Sequence, residues 1–142
     1  LKEAQALGGG TMSRPPPSVA PPGRRSVLIV DDDARIRAEL VNGLKDFYDV
    51  HEAADGAAAA AMCTTIMPSL IVCDVVMPKL DGFSFAKVLR SNPRLAKVPL
   101  VFLTSRQSST DVMQGLSLGA RAYIPKPFST PDVIGKIRKM LG

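Results

Sequence analysis

Val27-Leu28-Ile29-Val30-Asp31-Asp32-Asp33 is a run of four apolar residues stopped by three carboxylates. A short continuous apolar run without polar alternation reads as a strand covered on both faces, as in a parallel sheet. The period then changes. Ile36, Leu40, Leu44 and Phe47 recur at helical spacing, and Asp33 stands where a helix N-cap belongs. The same alternation repeats along the chain. Residues 48–53 read as a strand, and Asp55-Gly56 opens an alanine-rich helix that Pro68 ends. Residues 70–73 form a third apolar run that stops on Asp74; a loop with Pro78 and Gly82 then leads into a helix on Phe85, Ala86 and Leu89. A strand over 98–103 precedes a helix over 109–118 that Gly119 stops. A strand over 122–124 and an amphipathic helix over 131–141, with Val133, Ile137 and Met140, complete the pattern. Five strands alternating with five helices predict an α/β domain: a parallel sheet with helices on both faces.

Composition narrows what such a domain can be. The chain has 142 residues, 46% of them hydrophobic, enough for one domain with a core that needs no disulfide or structural metal. No apolar run approaches the roughly 18 residues of a membrane span, so no membrane association is expected. Cys63 and Cys73 lack zinc-type spacing, and His51 is the single histidine, which excludes a Cys/His metal site. Residues 1–25 hold five of the twelve prolines and the Gly8-Gly9-Gly10 run, and read as a disordered arm or an expression-derived extension. Residues 26–142 are the expected domain. That leading segment has no apolar signal-peptide core, which predicts a cytoplasmic protein. The net charge of +5 hints at nucleic acid. Lys2, Arg14, Arg24 and Arg25 against Glu3 put +3 of it in the arm, leaving +2 for the domain. Direct nucleic-acid binding is therefore not expected.

In open parallel sheets the ligand site lies beyond the carboxyl ends of the strands. There the sequence places Asp31-Asp32-Asp33, Asp74, Thr104-Ser105 and Lys126-Pro127. Crowded carboxylates without histidine or cysteine ligands suit a hard cation such as Mg²⁺. Asp31, Asp32 and Asp74 against Mg²⁺ and Lys126 come out neutral, and phosphorylation of Asp74 would add about one net negative charge. A hydroxyl and an ammonium already face that charge, an arrangement suited to phosphoryl transfer onto a carboxylate.

Four motifs together carry a family resemblance: Val27–Val30 with Asp31-Asp32-Asp33; Leu70-Ile71-Val72-Cys73-Asp74 with Met77-Pro78 and Asp81-Gly82; Leu103-Thr104-Ser105; and Tyr123-Ile124-Pro125-Lys126-Pro127-Phe128. In this the chain resembles a response-regulator receiver domain of the CheY type over residues 26–141. The resemblance implies a flavodoxin-like (βα)5 fold with strand order 2-1-3-4-5. It implies that Asp74 accepts a phosphoryl group from a histidine kinase or histidine phosphotransfer protein. Asp32, Asp74 and the backbone carbonyl of Val76 would bind Mg²⁺, with Asp31 acting chiefly through water. Thr104, with Ser105 beside it, and Lys126 would bind the phosphoryl oxygens, and Thr104 and Tyr123 would form the switch. Lys126-Pro127 would be cis. The face of the fourth helix, fifth strand and fifth helix would meet the downstream protein or a second copy.

Several residues have plainer readings. Asp33 and Asp81 fit helix caps, Cys73 a small core residue, and His51 a surface position away from the site. Val76 offers no side-chain hydrogen bond to water, and Arg106 is long and cationic, which predicts a phosphoryl group that is not unusually short-lived. Gly115 weakens the fourth helix and predicts local lability there. Two rival readings compete. A haloacid-dehalogenase-like phosphatase would use Asp31 and Asp33 as its paired carboxylates, but expects Thr or Val where Arg35 stands. A flavodoxin-like FMN binder needs a phosphate loop where the three carboxylates sit. A receiver that is a fragment of a longer regulator with an output domain is the remaining alternative.

Overall fold

The computed structural model describes residues 24–106 and 108–141. Ten elements alternate: β1 (Ser26–Val30), α1 (Ala34–Leu44), β2 (Asp49–Ala53), α2 (Gly56–Met62), β3 (Leu70–Asp74), α3 (Gly82–Ser91), β4 (Leu100–Thr104), α4 (Ser109–Ser117), β5 (Ala120–Pro125) and α5 (Thr130–Leu141). The five strands form one parallel sheet in the order β2-β1-β3-β4-β5, as the resemblance implies. Every residue of β1, β3 and β4 is buried, which is why these strands read as unbroken apolar runs. Alternate side chains serve two cores. Leu28, Val30, Ile71, Cys73 and Phe102 pack with Ala59 of α2 and with Phe85 and Leu89 of α3. Val27, Ile29, Val72 and Leu103 pack with Leu40 and Leu44 of α1 and with Val133 and Ile137 of α5.

The boundaries differ from the sequence reading where side chains compete with the backbone. α1 ends at Leu44, so Phe47 lies in the following turn, 43% exposed, with the Arg138 guanidinium 3.9 Å from its ring centre. α2 ends at Met62, six residues before Pro68. The Thr64 and Thr65 hydroxyls donate to the carbonyls of Ala61 and Met62 and offer the chain a local alternative to further turns. Val98 belongs to a turn, its amide bonded to Leu95 O; β4 starts after Pro99, which has no N–H for the ladder. β5 begins two residues earlier than expected. Arg121 occupies an irregularity opposite Leu100 and Val101 and interrupts the apolar run.

Of the expected arm, residues 1–25, residues 1–23 lie outside the described residues. Its last two residues, Arg24 and Arg25, make hydrogen bonds to the turn before β2 and to β2 itself. The Arg24 guanidinium donates to the carbonyls of Lys45 and Tyr48, and Arg25 O accepts the Asp49 amide at 2.9 Å. His51 is not the surface residue expected: its side chain is largely buried, with Nε2 3.2 Å from Asp49 Oδ2. None of the described helices is long and apolar enough to cross a membrane.

Gly135, inside α5, has nothing within 4 Å of where a β-carbon would stand. A helical glycine with open space loses chain entropy without a packing gain. Gly135→Ala is therefore expected to stabilise the domain by about 0.5–1 kcal/mol. In urea unfolding this appears as a higher midpoint at an unchanged m-value.

Candidate functional site

The carboxyl ends of β1, β3, β4 and β5 deliver the side chains that the sequence placed there. Asp33 caps α1, accepting the amides of Arg35 at 2.9 Å and Ile36 at 3.3 Å. Its own amide donates to Asp31 Oδ1 at 2.9 Å. Asp31 and Asp74 are buried, at 2% and 6% exposure, while Asp32 is exposed at the mouth. Carboxylate oxygens of Asp31, Asp32 and Asp74 all lie within 4.8 Å of one another. Lys126 Nζ bridges two of them, 2.9 Å from Asp31 Oδ2 and 2.9 Å from Asp74 Oδ2. The Val76 amide donates to Asp74 Oδ1 at 3.2 Å, so both oxygens of Asp74 are engaged.

Lys126 is held by its backbone as well as its charge. Its amide donates to Thr104 O at 2.9 Å, and the Lys126-Pro127 peptide is cis. Thr104 is fully buried, and its Oγ1 accepts the Arg106 amide at 3.1 Å. Ser105 is exposed and lines a neighbouring cleft of about 470 Å³ with Asp33, Arg35 and Lys126. Asp31, Asp32, Asp74, Thr104 and Lys126 thus converge, while Ser105 lies on the rim.

The electrostatics follow from burial and crowding. Burial pushes the Asp31 carboxyl above its ordinary pKa, although the Asp33 amide and Lys126 pull the other way. Burial also disfavours the Lys126 ammonium, but hydrogen bonds and charge from Asp31 and Asp74 together hold its pKa above the ordinary value. Among these described groups three carboxylates meet one ammonium, leaving an excess of negative charge. The donors are all carboxylate oxygens, which fits a hard divalent cation and not a soft one. Both thiols are inert by comparison. Burial raises Cys63 to about 11 and Cys73 well above its usual range.

Tyr123 is half-buried, its ring 6.0 Å from that of Phe102 and its hydroxyl donating to Arg106 O at 2.6 Å. A β-carbon on Gly115 would come within 2.8 Å of the Tyr123 ring. The glycine that reads as a weakness of α4 is the space this ring occupies. Two arginines make contacts at the site that the sequence does not show, although Arg106 stands out there near Thr104. Arg37, on α1, reaches back to donate to Asp31 O at 2.5 Å and pairs with Glu52 at 3.3 Å. Arg106 forms an ion pair with Asp111 at 2.6 Å and places its guanidinium 5.7 Å from the Phe83 ring centre.

The geometry bears on the rivals. Asp33 is committed to capping α1, so it is poorly placed as the acid–base partner that a haloacid-dehalogenase site requires. Asp31, Asp32 and Asp33 follow β1 directly, where an FMN binder needs a phosphate loop.

A model of the response regulator receiver domain matches residues 27–138. The chain is similar to the DNA-binding dual master transcriptional regulator RpaA of Synechocystis, 36% identical over 117 residues, covering 81% of this chain and 48% of that protein. It is similar to the response regulator MprA of Mycobacterium avium, 37% identical over 116 residues, covering 81% of this chain and 50% of that protein. Among solved structures, the Vibrio cholerae chemotaxis protein CheY4 superposes with a TM-score of 0.76 at 32% identity, over 82% of this chain and 98% of that one. The chain spans about half the length of these curated relatives.

Proposed function

The chain belongs to the response regulator receiver domain family, and from that premise we propose that it is a phosphorylation-driven switch with Asp74 as the phosphoacceptor. The observation that carries this reading is the bridging of Asp31 and Asp74 by Lys126 at 2.9 Å each, at the carboxyl ends of β1, β3 and β5. In the proposed reaction an Asp74 oxygen attacks the phosphorus of a phosphohistidine or an acyl phosphate. The donor's P–N or P–O bond breaks as the Asp74 O–P bond forms, and the donor leaves with the bonding electrons. The Lys126 ammonium and the Thr104 hydroxyl receive the phosphoryl oxygens, and Ser105 stands at the rim.

Asp32, Asp74 and the Val76 carbonyl would hold Mg²⁺, with Asp31 chiefly through water; the ion supplies further charge neutralisation for the transferred group. Labelled acetyl phosphate tests this chemistry without a partner protein. Label should enter the protein with Mg²⁺ and fail to enter with a chelator. Exposed Val76 offers no side-chain hydrogen bond to an attacking water. Val76→Asn is therefore expected to hydrolyse its phosphoryl group severalfold faster. A rate equal to that of the parent contradicts this reading of lifetime.

The physiological donor in this reading is a histidine kinase or histidine phosphotransfer protein, in the cytoplasm. The α4–β5–α5 face then changes its preference for a downstream protein or a second copy. The expectation of no nucleic-acid binding finds no support in the relatives, one of which is described as DNA-binding. We assign any DNA contact to the half of their length that this chain does not span, so the chain acts as the receiver portion of a longer regulator.

A further inference from the structure

Asp31 is held at every polar atom. Its amide donates to Ala53 O at 3.1 Å, Oδ1 accepts the Asp33 amide at 2.9 Å, and Oδ2 accepts Lys126 Nζ at 2.9 Å. The fourth contact comes from α1, where Arg37 Nη1 donates to Asp31 O at 2.5 Å. Asp32 is different. Its side chain is exposed and, among the described residues, makes no hydrogen bond or ion pair, although a carboxylate oxygen lies within 4.8 Å of those of Asp31 and Asp74. Its place in the cluster is therefore set by the backbone that carries it. The Asp31 carbonyl belongs to the planar peptide that leads into Asp32, so Arg37 fixes the plane on which that carboxylate is mounted. Arg37 is itself anchored. Its Nε lies 3.3 Å from Glu52 Oε1 on β2, next to the Ala53 carbonyl that holds the Asp31 amide, and its side chain is 18% exposed. A guanidinium serves two acceptors at once in a fixed fork, which suits it to bridge β2 and the β1–α1 connection.

We propose that Arg37 is a positioning residue for the divalent-cation site, acting through the Asp31–Asp32 peptide. The inference rests on the reading of Asp32 and Asp74 as cation ligands, and adds a residue outside the cluster that sets their geometry. Charge and positioning pull in opposite directions here, so the two can be told apart. Three carboxylates outnumber the Lys126 ammonium, and a further cation behind them lowers their attraction for a divalent ion. If Arg37 acted by charge alone, removing its guanidinium would tighten cation binding, the more so because Glu52 would be left unpaired. Acting by holding the peptide, its removal weakens binding, because a carboxylate free to reorient must be ordered when the ion arrives.

Mg²⁺ alone is the probe, titrated into metal-free, unphosphorylated protein and followed by the amide resonances of residues 31–33 and 74–76. Arg37→Ala is expected to raise the half-saturating Mg²⁺ concentration about tenfold, the lower end for a residue that orients a metal ligand. Arg37→Lys should recover part of this loss, because an ammonium can still reach one of the two acceptors. Glu52→Gln leaves the Asp31 carbonyl its donor and should have the smaller effect. Urea unfolding of the same variants separates a structural role: a variant that had only lost fold stability would unfold earlier, yet its folded form would bind Mg²⁺ as the parent does. Unchanged or tighter Mg²⁺ binding by Arg37→Ala overturns the proposal. A Glu52→Gln effect as large as that of Arg37→Ala also overturns it, placing the effect in the ion pair and not in the carbonyl contact. Absence of Mg²⁺ binding to the parent overturns the cation-site reading and the positioning role with it.

Discussion

Gly82→Ala is expected to cost about 3 kcal/mol or more and to disrupt the site from below. Gly82 is the first residue of α3, capped by Asp81, and its amide donates to Val75 O at 2.9 Å. A β-carbon there would stand 2.2 Å from Asp74 O and 2.8 Å from Val75 Cα. The obstacle is the backbone of the proposed phosphoacceptor, and no side chain can rotate out of the way. Alanine must therefore push α3 off the end of β3 and break the Val75 bond. Against a typical domain stability of about 5–15 kcal/mol, this removes a large share. Chemical unfolding of the purified variant checks it, with Gly135→Ala as the contrasting glycine that should move the midpoint the other way. A midpoint within error of the parent's would show that the approach of α3 to Asp74 is looser than described.

Lys126→Met should have the second-largest effect. It leaves the buried Asp31 and Asp74 carboxylates without their bridging ammonium. Removing one member of a buried pair costs about 3–5 kcal/mol, and partial exposure of Lys126 reduces this to about 2–3 kcal/mol near neutral pH. The pH window follows from the directions of the shifts. The folded pKa of Lys126 lies above its ordinary value, so its contribution is present at neutral pH and is lost as pH rises through that folded value. At the acid end the contribution fades as Asp31 protonates. Burial raises the pKa of Asp31, which brings its protonation to higher pH than for a free carboxyl. The gap in thermal midpoint between parent and variant should therefore be widest near neutral pH without Mg²⁺ and narrow toward acid. Added Mg²⁺ should restore the variant more than it stabilises the parent, because no ammonium competes for the carboxylates. Equal midpoints at neutral pH in metal-free buffer would contradict this account of the site's charge balance.

Much of this architecture is written locally. The three central strands are legible because burial on both faces demands unbroken apolar runs, as in residues 27–30, and because each run stops on the polar residue that opens the site. Asp33, Asp55 and Asp81 are legible as caps because a short acceptor before a helical period has one common use. The parts that were misread are set by contacts across the fold. Phe47 continues a helical spacing, yet the chain has already turned toward β2. Arg121 interrupts an apolar run, yet the strand continues through an irregularity. Gly115 reads as a flaw in a helix, and only the Tyr123 ring beside it gives its reason. Strand-end chemistry located Asp31, Asp32, Asp74, Thr104 and Lys126. It could not locate Arg37, nor say what Arg106 would touch, because a long cationic side chain carries no local signature of the carbonyl or carboxylate it will reach.

Mapping the phosphorylated residue tests the central claim most directly. The parent protein, Asp74→Asn and Asp31→Asn are each incubated with acetyl phosphate and Mg²⁺, and the labelled peptide is identified by mass spectrometry. The account predicts one phosphoryl group on the parent, located on Asp74, and none on Asp74→Asn. Asp31→Asn should still be labelled at Asp74, more slowly because the cation site has lost a carboxylate. Label on Asp31 of the parent, or undiminished labelling of Asp74→Asn, would contradict it.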